Sequence, residues 1–183
     1  MPKIIVKKEE WINLGYELFA EQGDSGIVVE KMAKKLKVNK SSFYWYFKTK
    51  ENFIKELIMF YINKETTRII DLTNSLQVGL EKFKTFIALI YKQDPYFDFV
   101  FYLKRYARKK KEIQTIVDEI DYKRIEYACT ILQEMGYSKQ EAKIKATFLH
   151  KHFIGYHETI RYKEQSPDYE KEVRKELNLV IKY

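Results

Sequence analysis

The sequence is poor in the residues that cross-link and punctuate a chain: its 183 residues include one cysteine, three prolines and six glycines. A single cysteine excludes an intrachain disulfide, so Cys129 is expected to be a small buried hydrophobe in a reducing compartment. So little glycine and proline leaves an all-β fold without its turns. Long hydrophobic runs are missing too. Stretches such as residues 86–91 fall far short of the roughly 20 residues a membrane span needs, and the apolar patch Ile4, Ile5 and Val6 is too short for a secretion-signal core. A cytoplasmic protein with no membrane partner is the expectation. No glycine-rich phosphate loop or nucleophile motif occurs, so the chain is not expected to be an enzyme or to need a cofactor. Arginine is absent from the first 50 residues, which removes the usual bidentate guanine reader from that region.

What is present is apolar and basic. With 45% hydrophobic and 33% charged residues, the chain is too apolar for disorder. The formal net charge is +8, and residues 1–50 hold ten lysines against five glutamates and one aspartate, whereas the remainder carries 24 basic and 20 acidic residues. The amino-terminal third is the most basic part. That density favours a polyanionic partner, either nucleic acid or an anionic membrane surface.

Helical punctuation predicts an all-α chain of about nine helices. Ile12, Tyr16 and Phe19 recur at helical spacing in a first helix over 7–22, stopped by Gly23. Val29, Met32, Ala33 and Leu36 form one stripe on a short second helix. Only Lys37, Val38 and Asn39 separate it from a third, for which Asn39 is a strong cap, and Thr49 caps a fourth. Further helices are expected over about 76–93, then to Tyr106, over 112–135 ended by Gly136, and to about 163 from a Ser138/Glu141 capping box. A last helix opens at Ser166 and Pro167.

Two short helices joined by three residues read as a helix-turn-helix. On a wheel of about 100° per residue, Phe43 and Phe47 share the buried side. Ser41 and Trp45 lie opposite, flanked by Lys40, Ser42 and Tyr44. Hydroxyls, a cation and a large aromatic presented together suit a DNA groove: serine bonds base edges or phosphates, tyrosine reaches phosphate oxygens, and indole contacts a thymine methyl. Tyr46 sits at the edge of the buried face and fits either role. Lys50, in the first turn of the fourth helix, fits a phosphate clamp.

The set Leu18-Phe19-Ala20-Glu21-Gln22-Gly23, Met32-Ala33, the run from Val38 to Phe47 and Lys50-Glu51 resembles the amino-terminal signature of the TetR family of bacterial transcriptional regulators (TetR/AcrR type), over roughly residues 7–55. The resemblance implies a three-helix DNA-binding domain at 1–50 and a helical ligand-binding and dimerisation domain at 51–183. It further implies a homodimer that sets one recognition helix per subunit in successive major grooves of a near-palindromic double-stranded operator, released when a small-molecule effector binds. The alternatives are a DNA-binding regulator without such an effector and a helical ligand-binding or enzymatic domain whose helix-turn-helix is inert. Carried onto matching positions, Lys40, Ser41, Ser42, Tyr44, Trp45, Tyr46 and Lys50 become the DNA-contact candidates. Three positions depart from the pattern. Ile27 stands where a capping threonine is usual, Lys37 replaces the turn glycine and makes a left-handed conformation costlier, and Asn39 replaces a serine with an equally good cap.

In the carboxy-terminal part, Leu149, Phe153, Tyr156 and Ile160 extend a heptad seam from Ala142 and Ala146, and Val173, Leu177 and Val180 repeat the spacing. These seven are the candidate dimer interface. A second seam runs Phe148, His152, Gly155, Thr159. Aromatics crowd around Pro95, and Tyr91, Phe97, Phe101, Tyr102, Tyr106, Tyr127, Phe148 and His152 are candidates to line a pocket for an apolar or aromatic effector, with core packing as the competing role. His150, His152 and His157 stand at offsets two and five, which do not put a metal-ligating pair on one helix face, so no metal is expected.

Overall fold

A computed structural model describes residues 6–183, which leaves Ile4 and Ile5 outside the described residues. Every regular element among the described residues is helical: α1 (Lys8–Gln22), α2 (Val29–Lys35), α3 (Ser41–Phe47), α4 (Lys50–Ile62), α5 (Arg68–Asn74), α6 (Leu80–Ile90), α7 (Phe99–Ala107), α8 (Lys111–Glu134), α9 (Lys139–Thr159) and α10 (Tyr169–Asn178). A π-helical turn, Asn63–Thr67, joins α4 to α5 without a break in helical backbone angles, so ten segments make nine rods.

Most ends fall where local chemistry puts them. Gly23 and Gly136 take positive φ after α1 and α8, as the first residue past a helix often does. Thr49 Oγ1 accepts the Asn52 amide at 3.1 Å, and Ser138 with Glu141 forms a reciprocal capping box. Asn39 Oδ1 accepts the Ser41 amide at 2.8 Å. Lys37 does adopt the left-handed region, at φ 57°, and α2 has no side-chain cap because Ile27 is buried in the core instead.

Three boundaries differ from expectation. The helix expected from residue 76 begins only at Leu80, after Gly79 at φ 120°. The penultimate helix stops at Thr159 rather than near 163. There the Tyr162 amide donates to Asp98 at 3.0 Å, and the Arg161 guanidinium lies 3.2 Å from the Phe101 ring centre, so tertiary contacts pull the chain off the helical path. The last helix starts at Tyr169, because Ser166 Oγ caps the Asp168 amide in a turn that precedes it.

The core divides in two. Trp11, Phe19, Phe43, Phe47 and Phe53 gather with Phe99, Val100 and Leu103 of α7, while Phe83, Ile87, Tyr91, Ile131, Leu132 and Leu149 gather with Tyr169, Val173, Leu177 and Ile181. α8 and α9, joined by the short turn at Gly136, pack along each other as an antiparallel pair. A division at residue 50 falls on the first residue of α4, whose Phe53 and Leu57 belong to the amino-terminal core. α4 therefore serves both parts.

The heptad seam of α9 is consumed inside the chain. α10 folds back over it, so that Val173 and Leu177 are fully buried and Leu149 nearly so. Tyr156 packs on Tyr169, Phe153 on Tyr91, and Val180 against the same cluster. Only Ile160, half-buried beyond the end of α9, stands apart from this packing. For Leu149, Val173 and Leu177 the expectation of a dimer interface is corrected, because α10 covers them within the chain, whereas Phe153, Tyr156, Ile160 and Val180 remain half-buried.

Gly15 is where α1 crosses α4. A Cβ there would lie 2.4 Å from Phe53 Cζ and 2.8 Å from Cε1, and Phe53 is fully buried. Gly15→Ala gains up to about 1 kcal/mol of helix propensity but overpacks a closed site, at about 1–3 kcal/mol. A net loss of about 1–2 kcal/mol is expected in urea denaturation; a raised midpoint would show that Phe53 repacks freely.

Candidate nucleic-acid interface and effector cavity

α3 is held from one side only. Phe43 packs edge-on to Trp11 at 5.3 Å and against Phe53 at 5.0 Å, and Phe47 meets Phe53 at 4.7 Å. The opposite side is open: Trp45 is 69% exposed and Tyr44 43%, with Lys40 and Ser41 exposed beside them and Ser42 half-buried. Trp45 rests edge-on against Tyr46 with ring centres 4.7 Å apart and otherwise faces water beside Tyr44.

Several candidates also have partners within the chain. Lys40 pairs with Glu30 at 3.1 Å, and Ser42 Oγ donates to the Asn39 carbonyl. Tyr46 donates to the Val6 carbonyl at 3.1 Å, tying α3 to the chain's amino-terminal end. Lys50 Nζ donates to the Asp24 carbonyl at 2.9 Å, bracing α4 against the turn after α1.

The second site is a cavity of about 120 Å³ enclosed by α4, the π-turn, α5, α6, α8 and α9, with Tyr16 of α1 and the segment 92–97 at its edge. Of the eight residues expected to line a pocket, Phe97 and Tyr127 do. The other six are corrected, each for a packing reason. Tyr91 is buried with its hydroxyl on His152 Nδ1 at 2.9 Å, and His152 in turn meets Glu176 of α10 at 3.0 Å. Phe148 packs beside His152. Phe101 is sandwiched by Arg105 and Arg161. Tyr102 donates to the Glu21 carbonyl at 3.0 Å, and Tyr106 packs on Phe19, both inside the amino-terminal part.

Polar lining residues were the ones that spacing did not reveal. Arg124 of α8 donates from Nε to Thr66 Oγ1 at 3.0 Å, and from Nη2 to Thr66 Oγ1 at 2.8 Å and to the Tyr61 hydroxyl at 3.1 Å. His157 is 3% exposed and stacks on Phe97 with ring centres 3.6 Å apart, yet neither ring nitrogen has a hydrogen-bond partner. Burial, reinforced by the Arg124 and Arg161 charges, holds its pKa well below the usual imidazole value; the Phe97 backbone opposes this without reaching hydrogen-bond geometry. The one signal in the sequence was a polar residue interrupting an apolar helix face.

Residues 12–57 match the family described as bacterial regulatory proteins, tetR family. Over 66 residues the chain is 33% identical to YuxN, an uncharacterised HTH-type transcriptional regulator of Bacillus subtilis (strain 168); that match spans 36% of this chain and only 23% of the relative's length. The fold is similar to that of a regulator of the AcrR type from Aquifex aeolicus VF5, at 22% identity and TM-score 0.72, over 95% of this chain and 99% of that one. It is similar also to the fatty acid degradation regulator FadR of Bacillus halodurans, at 20% identity and TM-score 0.75, over 94% and 93%. The family match covers residues 12–57 of this chain, so the likeness lies in its amino-terminal helices, and the solved structures extend it to the fold.

His157 gives the cavity a pH signature. Its folded pKa is depressed, so its contribution to stability is complete above the unfolded value near 6.5 and is lost as pH falls below that value. Between pH 6.5 and 5, wild-type stability is expected to fall by up to about 1.4 kcal/mol per pH unit more steeply than that of His157→Leu. Parallel slopes in denaturant titrations would mean that the folded protein protonates His157.

Proposed function

We propose that the chain is a homodimeric, sequence-specific transcriptional regulator, a repressor released from a near-palindromic operator when a small molecule enters the cavity. The observation that carries this reading is the exposed face of α3, where Trp45, Tyr44, Ser41 and Lys40 stand in water on the most basic third of the chain. In this reading Phe43 and Phe47 anchor the helix, and Ser41, Ser42 and Trp45 meet base edges. Tyr44, Tyr46 and Lys50 lie toward the phosphates: the Asp24 carbonyl takes one of the three Lys50 ammonium protons, and the others remain available. Residues 1–50 read DNA and 51–183 sense and dimerise, with α4 shared.

For the dimer, the second seam of α9 supports the reading. Ile144 is 62% exposed, Phe148 half-buried, and Gly155 and Thr159 exposed. A Cβ on Gly155 would meet nothing in its own chain, so its helix-weakening cost of about 1 kcal/mol has no intramolecular return, whereas a helix of a second copy could approach closely there.

Fluorescence anisotropy on fragments of the source genome tests the DNA reading: some fragment is expected to bind at least about a thousandfold tighter than bulk DNA, and uniform affinity would refute it. Trp45→Ala is expected to lose about 1–3 kcal/mol on that fragment with an unchanged melting temperature. Lys50→Ala should weaken all sequences alike and lower the salt slope by about one unit. Light scattering is expected to give a dimer that Ile144→Glu converts to monomer; an unaffected dimer would place the interface elsewhere.

A further inference from the structure

Among the charged groups around the cavity, Arg124 stands without a carboxylate of its own. The carboxylates at its rim, Glu65 and Asp94, both stand within ion-pair distance of Lys64, at 3.3 and 3.8 Å. Asp121, one turn before Arg124 on α8, is matched by Lys104 and by His150 at 3.5 Å. Arg124 has no carboxylate partner among the described residues: its bonds go to two hydroxyls, and Nη1 has no partner. A half-buried guanidinium on the cavity wall, satisfied only by neutral oxygens, is an incomplete pair. The second incomplete group is His157, whose two ring nitrogens are buried in the same wall without partners.

We propose that the cavity takes a small apolar monocarboxylate, its carboxylate received by Arg124 and His157 and its body by Ile69, Phe86, Leu89, Phe97, Leu149 and Phe153. This rests on the effector reading above and names the effector's class. The arginine fork matches a carboxylate in plane, with two parallel N–H donors. A neutral imidazole supplies one further N–H. Glu65 and Asp94, which share the one Lys64, stand at the same rim and disfavour a dianion such as phosphate. The volume, about 120 Å³, is near the roughly 150 Å³ of an apolar cavity that holds benzene, which sets the size of the body.

The same contact explains how binding reaches the DNA-reading face. Tyr61 ends α4 and Thr66 lies in the π-turn, and Arg124 holds both. Five residues apart, they would diverge by about 140° on a regular α-helix; the π-turn lets one guanidinium hold both. A carboxylate competing for that guanidinium loosens the clamp on the rod that carries α3. π-turns of this kind recur at functional sites.

Calorimetry on the full-length protein tests the proposal with matched probes: benzoate and cyclohexanecarboxylate against benzyl alcohol and benzamide. The carboxylates are expected to bind about tenfold to a hundredfold more tightly than the neutral pair. Arg124→Gln should bring the two within about twofold, with Arg124→Lys intermediate. Circular dichroism checks that the variants fold, and the comparison on wild-type protein needs no variant. No preference for carboxylates, including absence of binding across benzoates and linear acids of six to ten carbons, overturns it. Carboxylate binding with undiminished operator affinity would keep the ligand class and refute release of a repressor instead.

Discussion

Three stacked rings hold the two halves of this protein together. Tyr61 at the end of α4 lies against Phe99 of α7 with centres 4.7 Å apart, and Phe99 lies against Tyr16 of α1 at 4.8 Å, both pairs nearly parallel. Phe19 and Tyr96 close the group from either side. Removing any of the three stacked rings would open the junction rather than a local patch, because each of these comes from a different helix. The amino-terminal helices are thus not a bead on a string. α1 is packed on α7, and Tyr16 is at once part of that packing and part of the cavity edge.

The placement of polar groups follows the same economy. Where a charge is needed for architecture it is matched at short range, as with buried Lys82 and Glu134 at 2.9 Å between α6 and α8. Two polar groups that line the cavity are left short: Arg124 has hydroxyl partners but no carboxylate, and His157 has none for either ring nitrogen. Burial of Tyr16 and Tyr61 raises both phenol pKa values, so these rings stay neutral and act as packing surfaces and hydroxyl partners. Neutral hydroxyls around a guanidinium make a weaker cage than carboxylates would, and a weak cage can be reopened by a ligand.

How much of this was legible depended on range. Helix ends set by a residue's own neighbours, such as Thr49 over Asn52 or Gly136 after α8, could be read directly from the chain. So could the two faces of α3, because Phe43 and Trp45 point apart on any helix whatever packs around it. The heptad in α9 was equally visible, but a heptad declares only that a helix packs on something. That the occupant is α10 follows from the chain doubling back after Thr159, which depends on Asp98 and Phe101, residues about 60 positions upstream. The cavity was least legible. Aromatic density around Pro95 marked a crowded region, yet most of those rings fill core positions, and the lining polar residues, Arg124 and His157, stand singly in helices that look ordinary.

The π-turn at Asn63–Thr67 is in effect one surplus residue stored in a rod that would otherwise be regular. Shedding it would turn α5 by about 100° relative to α4, and Arg124, bonded to Tyr61 before the turn and to Thr66 within it, holds the register seen here. A molecule built this way can exchange information between its ends as rotation about an axis, without having to bend or melt the helix that joins them.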